Sequence, residues 1–323
     1  MRLFAWPGAR VKPFESVGAF RQAMTNLRAQ LESLSTGKVT ICDVRGPVSE
    51  VPASTFTVVL CQIRSYPEPA KDTTVRRALA VARIIGRERL GDDRPPHLVI
   101  FPEASVPVAS LPTLRRFVRA TGAIVLAGLE VRDDISGTRK VNELVWLVPS
   151  GDDDTRPLEL RQAKIHPTRD ELALVPPVAP ANPPVIWRLG AHMNLAFPQR
   201  LAAINCYEFT DLALRELLRG RVEALVIAAN NKDVPTFDNL LEATHYDLFC
   251  HVLLVNAERY GGSAVRAPYR EPHQRRIFDV HGGELFAVNV CELDLTEIRR
   301  AELPSEGAKP VFKTPPANFR VRH

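Results

Sequence analysis

The sequence predicts an α/β fold on three observations. From about residue 55 onward, short β-rich apolar runs alternate with stretches of helical periodicity, as in a sheet with helices laid across its faces. Several of the β runs are apolar almost throughout, which suits strands covered on both sides. A chain of 323 residues, 45% of them hydrophobic, is also long and apolar enough to bury a sizeable core.

Residues 1–54 stand apart from this pattern. Val17, Phe20, Met24, Leu27, Leu31 and Leu34 recur at alternating spacings of three and four, one apolar stripe on a helix capped near Ser16. Such a stripe either lies on its own domain or docks a partner domain. KVTICDV follows, and then the turn-rich GPVSEVPAS, which reads as a linker into a domain spanning residues 55–302.

Within that domain TFTVVLCQI reads as a strand, TVRRALAVARIIGRER as a helix, HLVIF as a buried strand and LPTLRRFVRATG as a helix. AIVLAGLEV is a strand. NELVWLVP and PLELRQAKI form a hairpin across the polar turn SGDDDTR. After the Pro-rich loop VPPVAPANPP come RLAAIN (strand), DLALRELLRG (helix), ALVIAAN (strand), LLEATHYDLFCHV (helix) and LLVNAE (strand). RRIFDV and ELFAVNVCELDL close the series as a strand pair, and LTEIRRAE is a short last helix. Residues 303–323 read as an extended tail over the surface or onto a neighbouring subunit.

Composition excludes several functional classes. The net charge of +5 comes from dispersed arginines without a long basic block, which does not call for a nucleic-acid partner. The arginines of GGSAVRAPYREPHQRR read as a solvated loop. No run approaches the roughly 18 apolar residues of a membrane span, and no apolar signal segment opens the chain. Five cysteines without paired spacing point to a reducing compartment, hence the cytoplasm. HExxH, CxxC and P-loop patterns do not occur, so neither a metal nor another cofactor is expected.

Three strand ends carry reactive side chains. In HLVIFPEAS, Glu103 follows a buried strand directly, where α/β sheets present ligand-facing residues; alone it could equally be a first-turn helix acid. In ELRQAKIHPTRDE, Lys164 ends an alternating strand, a position where lysine is as a rule solvated. In RLAAINCYEFTD, Cys206 ends an apolar run. Free cysteine is usually a small core hydrophobe, and Cys42, Cys61, Cys250 and Cys291 read as that.

The three together, in this order, resemble the catalytic glutamate, lysine and cysteine motifs of the nitrilase (carbon–nitrogen hydrolase) superfamily. VVLCQI resembles the first strand of that family, NELVWLVPSG the segment before its lysine strand, RGRVEALVIAANN the strand after its cysteine helix, and VNAERYGGSAVRAP its late loop. The resemblance covers roughly residues 55–302 and implies a four-layer α-β-β-α sandwich of two stacked mixed sheets. It implies Glu103, Lys164 and Cys206 as catalytic, Glu171 as the further glutamate that holds the lysine or orients substrate, and the N–H of Tyr207 as an oxyanion donor. Glu208 reads as the start of the following helix, and His166 as a structural neighbour. Pro167 replaces the leucine of the common family form. The Pro-rich loop 175–184 and the extension of residues 1–54 are foreign to the small amidases, so no substrate carries over.

The chemistry explains why those residue types belong together. A thiol of ordinary pKa is only a few per cent thiolate at neutral pH. A carboxylate can take its proton, and an ammonium stabilises the anion that results. The expected activity is hydrolysis of a non-peptide carbon–nitrogen bond in a small amide, nitrile or carbamoyl compound, by a homodimer or higher homo-oligomer. The rival expectation is an interaction or oligomerisation module of a larger protein or assembly, suggested by the N-terminal stripe.

Overall fold

A computed structural model of the chain describes residues 39–48, 55–90, 96–149, 156–192, 199–295, 297–298, 311–315, 319 and 321. The apolar stripe of residues 17–34, and with it the docking-helix expectation, lies outside them.

Among the described residues, fifteen strands and five helices follow one another. They are β1 (Thr40–Val48), β2 (Phe56–Gln62), α1 (Asp72–Leu90), β3 (Leu98–Ile100), α2 (Leu111–Thr121), β4 (Ile124–Gly128), β5 (Arg132–Asp133), β6 (Lys140–Val141), β7 (Glu143–Val148) and β8 (Leu158–Ala163). Then come α3 (Arg169–Leu172), β9 (Val185–His192), β10 (Gln199–Asn205), α4 (Leu212–Leu218), β11 (Ala224–Ala228), α5 (Val234–Asp247), β12 (His251–Val255), β13 (Ala264–Arg266), β14 (Arg276–Asp279) and β15 (Ala287–Leu293). One sheet has seven strands in the order β1-β9-β10-β11-β12-β13-β14, a second has six in the order β15-β2-β3-β4-β7-β8, and β5 and β6 form a small hairpin.

The period of two along each strand builds four layers. In β2, Val58 and Leu60 point into a core shared with Leu201, Val226 and Leu253 of the other sheet, so the two sheets pack face to face. The alternate residues Val59 and Cys61 point outward, against Val75 and Leu79 of α1 and Leu114 and Val118 of α2. The outer face of the seven-stranded sheet is covered likewise: Ile204, Leu225 and Val252 meet Leu214 of α4 and Phe237 and Leu241 of α5. The chain is thus an α-β-β-α sandwich, and strands apolar throughout are those buried on both faces. Burial of each such Val or Leu is worth about 1.5–3 kcal/mol.

Helix limits follow local chemistry. Gly122 closes α2 with φ 71°, a left-handed cap that L side chains avoid. Asp211 caps α4 by accepting from the N–H groups of Ala213 and Leu214.

Several sequence expectations change. Arg266, read with its neighbours as part of a solvated loop, is fully buried in β13 and pairs with Asp238, Glu242 and Asp279. Thr40–Val48, assigned to the extension, is an edge strand that pairs in parallel with β9. β9 itself, just past the Pro-rich loop, was not singled out. The closing strand pair does not form: β14 pairs with β13 in the seven-stranded sheet, whereas β15 pairs with β2 in the other. The helix read over LLEATHYDLFCHV begins earlier and ends at Asp247, because the chain turns at Phe249 (φ 53°) and His251 opens β12. Of the tail, Phe312 is fully buried against Phe249, Ala267 and Ile298 of the body.

Gly128 at the end of β4 abuts the turn that follows β3. Its carbonyl accepts from the N–H groups of Ser105 and Val106, both at 3.0 Å. A methyl group there would stand 2.3 Å from the carbonyl oxygen of Pro102 and 2.5 Å from Cα of Glu103. Gly128→Ala is therefore expected to lose about 1–3 kcal/mol of stability by overpacking. Urea denaturation measures it, and an unchanged midpoint would contradict the contact.

Candidate functional site

The three sequence-predicted strand ends converge. Glu103 follows β3 and Lys164 follows β8, both in the six-stranded sheet, while Cys206 follows β10 in the seven-stranded sheet. All three are buried, at 5%, 1% and 5% exposure, and all line one cavity of about 840 Å³. Ala104, next to Glu103, and Cys206 itself both have φ 49°, a conformation uncommon without glycine. Such backbone is held only where its surroundings fix it, as in tight turns that present a side chain.

Lys164 is the hub. Its Nζ lies 2.7 Å from Oε1 of Glu103 and 2.9 Å from Oε2 of Glu171. Desolvation opposes the ammonium, yet Glu103, Cys206 and Glu171 together hold its pKa far above the ordinary lysine value. For Glu171 burial again opposes, but Lys164, the Thr168 N–H and Asn142 hold the carboxyl below its usual range. An ammonium has three N–H donors, and with two on carboxylates one remains for an incoming group.

Glu171 owes its place to a capping box. Thr168 caps α3 by accepting from the N–H of Glu171, whose Oε2 in turn accepts from the N–H of Thr168 at 2.7 Å. The acid predicted seven residues past the lysine thus belongs both to a helix cap and to the lysine's ion pair.

The Cys206 thiol is pushed well above its ordinary pKa by desolvation and then by Glu103; Lys164 and the N–H of Asn230 oppose. Burial also raises Cys61, and it pushes Cys291 up to about 12. The same desolvation acts at all three, but Cys206 has a cation, a carboxylate and a backbone N–H beside it. At rest the site therefore pairs a neutral thiol with an ionised lysine. Cys206 also opens a short turn (Cys206–Thr210), so the N–H of Tyr207 falls in its first turn, ahead of any acceptor within the turn. The Tyr207 side chain is half exposed on the cavity wall.

Sequence reasoning missed Asn142, just before β7. Its Nδ2 donates to Oε1 of Glu103 at 2.8 Å and to Oε1 of Glu171 at 2.5 Å, and its Oδ1 accepts from Asn205 at 3.1 Å. The Asn142 carbonyl also accepts from the N–H of Lys164 at 2.8 Å. One signal was available, a polar residue opening an otherwise apolar strand. Glu208 does start the turn that follows, its Oε2 accepting from the N–H of Asn205 in a capping box, but its Oε1 also accepts from the N–H groups of Ile165 and His166. The His166 ring is exposed and sits 3.4 Å from Asp211.

The rest of the cavity wall includes Tyr66, Val131, Leu174, Lys232 and Tyr260. Among the described residues no group of three or more His, Cys, Asp or Glu could hold a metal ion, and no helix is long and apolar enough to cross a membrane.

Comparison of the sequence with protein-family models and with curated proteins finds no match. Comparison of the fold with solved structures does. Nit3 of Saccharomyces cerevisiae, a member of branch 10 of the nitrilase superfamily, aligns with TM-score 0.55 at 17% identity over 79% of this chain and 97% of its own. An amidase from a Nesterenkonia species aligns with TM-score 0.54 at 16% identity, over 79% and 99%. XC1258 of Xanthomonas campestris, a CN-hydrolase superfamily protein with an arsenic adduct in its active site, gives 0.54 at 16%, over 77% and 94%. At these identities the likeness shows the fold: the chain has the nitrilase fold.

Removing the hub should show as instability. Lys164→Met would leave the buried Glu103 and the partly buried Glu171 without their cation, at about 3–5 kcal/mol near neutral pH. Because the Glu171 pKa is depressed, the stability it adds is complete above its ordinary value of 4.5 and is lost as pH falls through the folded value. The deficit of the variant should therefore shrink on acidification. Denaturant melts near neutral pH and again below 4.5 test this, and a pH-independent deficit would contradict it.

Proposed function

We propose that the protein hydrolyses a non-peptide carbon–nitrogen bond in a small amide, nitrile or carbamoyl compound, with Cys206 as nucleophile. The observation that carries this reading is the Lys164 ammonium, buried between Glu103 and Glu171 and coupled to Cys206 on the wall of a cavity. Neighbours in fold include a Nesterenkonia amidase with an active-site cysteine, which supports the same class.

For an amide the steps balance as follows. Glu103 takes the Sγ proton as sulfur bonds to the carbonyl carbon, and the π pair moves onto oxygen. That oxyanion is received by the remaining N–H of Lys164 and the N–H of Tyr207. The Glu103 carboxyl gives its proton to the nitrogen, the carbon–nitrogen bond breaks, and a thioester remains on Cys206. Water attacks the thioester, giving its proton to Glu103. Collapse expels the thiolate, which takes that proton back and leaves the acid product.

The charge pattern suits this cycle. Passing the proton from sulfur to Glu103 moves a negative charge from carboxylate to thiolate without changing the total beside Lys164. The ammonium thus stabilises both states, and little reorganisation is needed around groups that are themselves buried.

Screening small amides, nitriles and carbamoyl compounds for released ammonia or amine tests the reading. Cys206→Ala should abolish turnover, and Glu103→Gln should lower it by about 10²–10⁴-fold. Turnover that persists unchanged in Cys206→Ala would sink the mechanism.

A further inference from the structure

Glu208 is 2% exposed, lies two residues past Cys206, and takes no part in the steps above. Its Oε2 accepts from the N–H of Asn205 at 2.9 Å, at the end of β10. Its Oε1 accepts from the N–H of His166 at 3.1 Å and from that of Ile165, in the loop that begins at Lys164. One carboxylate therefore binds two strand ends that belong to different sheets. The Asn142–Asn205 bond joins the same two regions through side chains.

We infer that Glu208 is a positioning residue that fixes Lys164 against Cys206 by clamping the backbone on either side of the site. The inference rests on the reading of Cys206 as nucleophile. A side chain that merely started a helix would not need to reach residues some 40 positions earlier. Three N–H donors on two oxygens also suit the ionised form, because a protonated carboxyl would place an O–H among donors.

Burial pushes the Glu208 pKa up to about 7, with the three N–H groups and Lys164 pulling it down. The titratable groups on the packed segments are Lys164, His166, Cys206, Tyr207 and Asp211, and His166 faces Asp211 at 3.4 Å. The clamp should thus tighten as pH rises through about 7.

The test needs no substrate. Iodoacetamide alkylates a thiol, forming the S–C bond, expelling iodide and giving up the thiol proton. Its rate at Cys206 is followed by peptide mass spectrometry in the full chain across that pH range. In the wild type the rate should rise through about 7. Glu208→Gln should flatten that rise and slow alkylation by about 10- to 100-fold, the penalty of misplacing catalytic groups. Glu208→Asp, which keeps a carboxylate, should restore part of both. If Glu208 acted through charge alone, its removal would ease thiol ionisation and speed alkylation. An equal or faster rate in Glu208→Gln therefore overturns the inference. So does a wild-type rate without the rise, which decides the matter even where Glu208→Gln fails to fold. A wild-type Cys206 no more reactive than Cys42 would overturn instead the nucleophile assignment on which the inference stands.

Discussion

An ammonium buried to 1% exposure is tenable only if carboxylates surround it, and that condition organises this molecule. Glu103 and Glu171 supply the charges for Lys164, one from 61 residues away in the chain and the other from seven. The end of β3 brings one and the capping box of α3 brings the other. Asn142 then ties the two carboxylates together and reaches Asn205, beside Cys206. The sandwich matters to the site because it sets these strand ends side by side. Glu103 and Lys164 come from one sheet and Cys206 from the other, so packing between the sheets fixes the distance between the cation and the sulfur.

A point charge on a flexible stem suits this place better than a guanidinium. Lysine offers three rotatable donors from one atom and can serve two carboxylates while keeping one donor for an incoming oxygen, whereas arginine prefers planar two-point pairing. Burial holds the Cys206 thiol above its ordinary pKa, so in the proposed mechanism its activation would come from proton transfer at the moment of attack and not from a thiolate formed beforehand. In a Ser-His-Asp triad the imidazole shuttles the proton and the acid orients it. Here a carboxylate would shuttle the proton and the ammonium would hold the charge.

Much of this was legible in the sequence because it is local. An apolar run ending in FPE, an alternating run ending in lysine and an apolar run ending in cysteine each declare a strand and what stands at its tip. Their order carried the likeness, and the four-layer fold followed from it. Pairing was not legible. RRIFDV and ELFAVNVCELDL look like successive strands of one hairpin, yet they complete different sheets, since the side-chain period fixes that a strand exists but not its neighbour. KVTICDV looked like part of an extension because its partner β9 is some 140 residues away and lies just past a run of prolines. Asn142 was missed, and half of what Glu208 does was not legible, for the same reason. The Asn142 bonds to Glu103 and Glu171, and the Glu208 bonds to Ile165 and His166, join residues tens of positions apart.

In the proposed mechanism Cys206 carries the acyl group. The most direct test is rapid acid quench of the protein with a turned-over amide, followed by peptide mass spectrometry. A gain of one acyl group is expected on the peptide that contains Cys206 and on none of the other four cysteines. Turnover without acylated Cys206 under conditions where a synthetic thioester standard survives the quench, or acyl transfer to another residue, would contradict it.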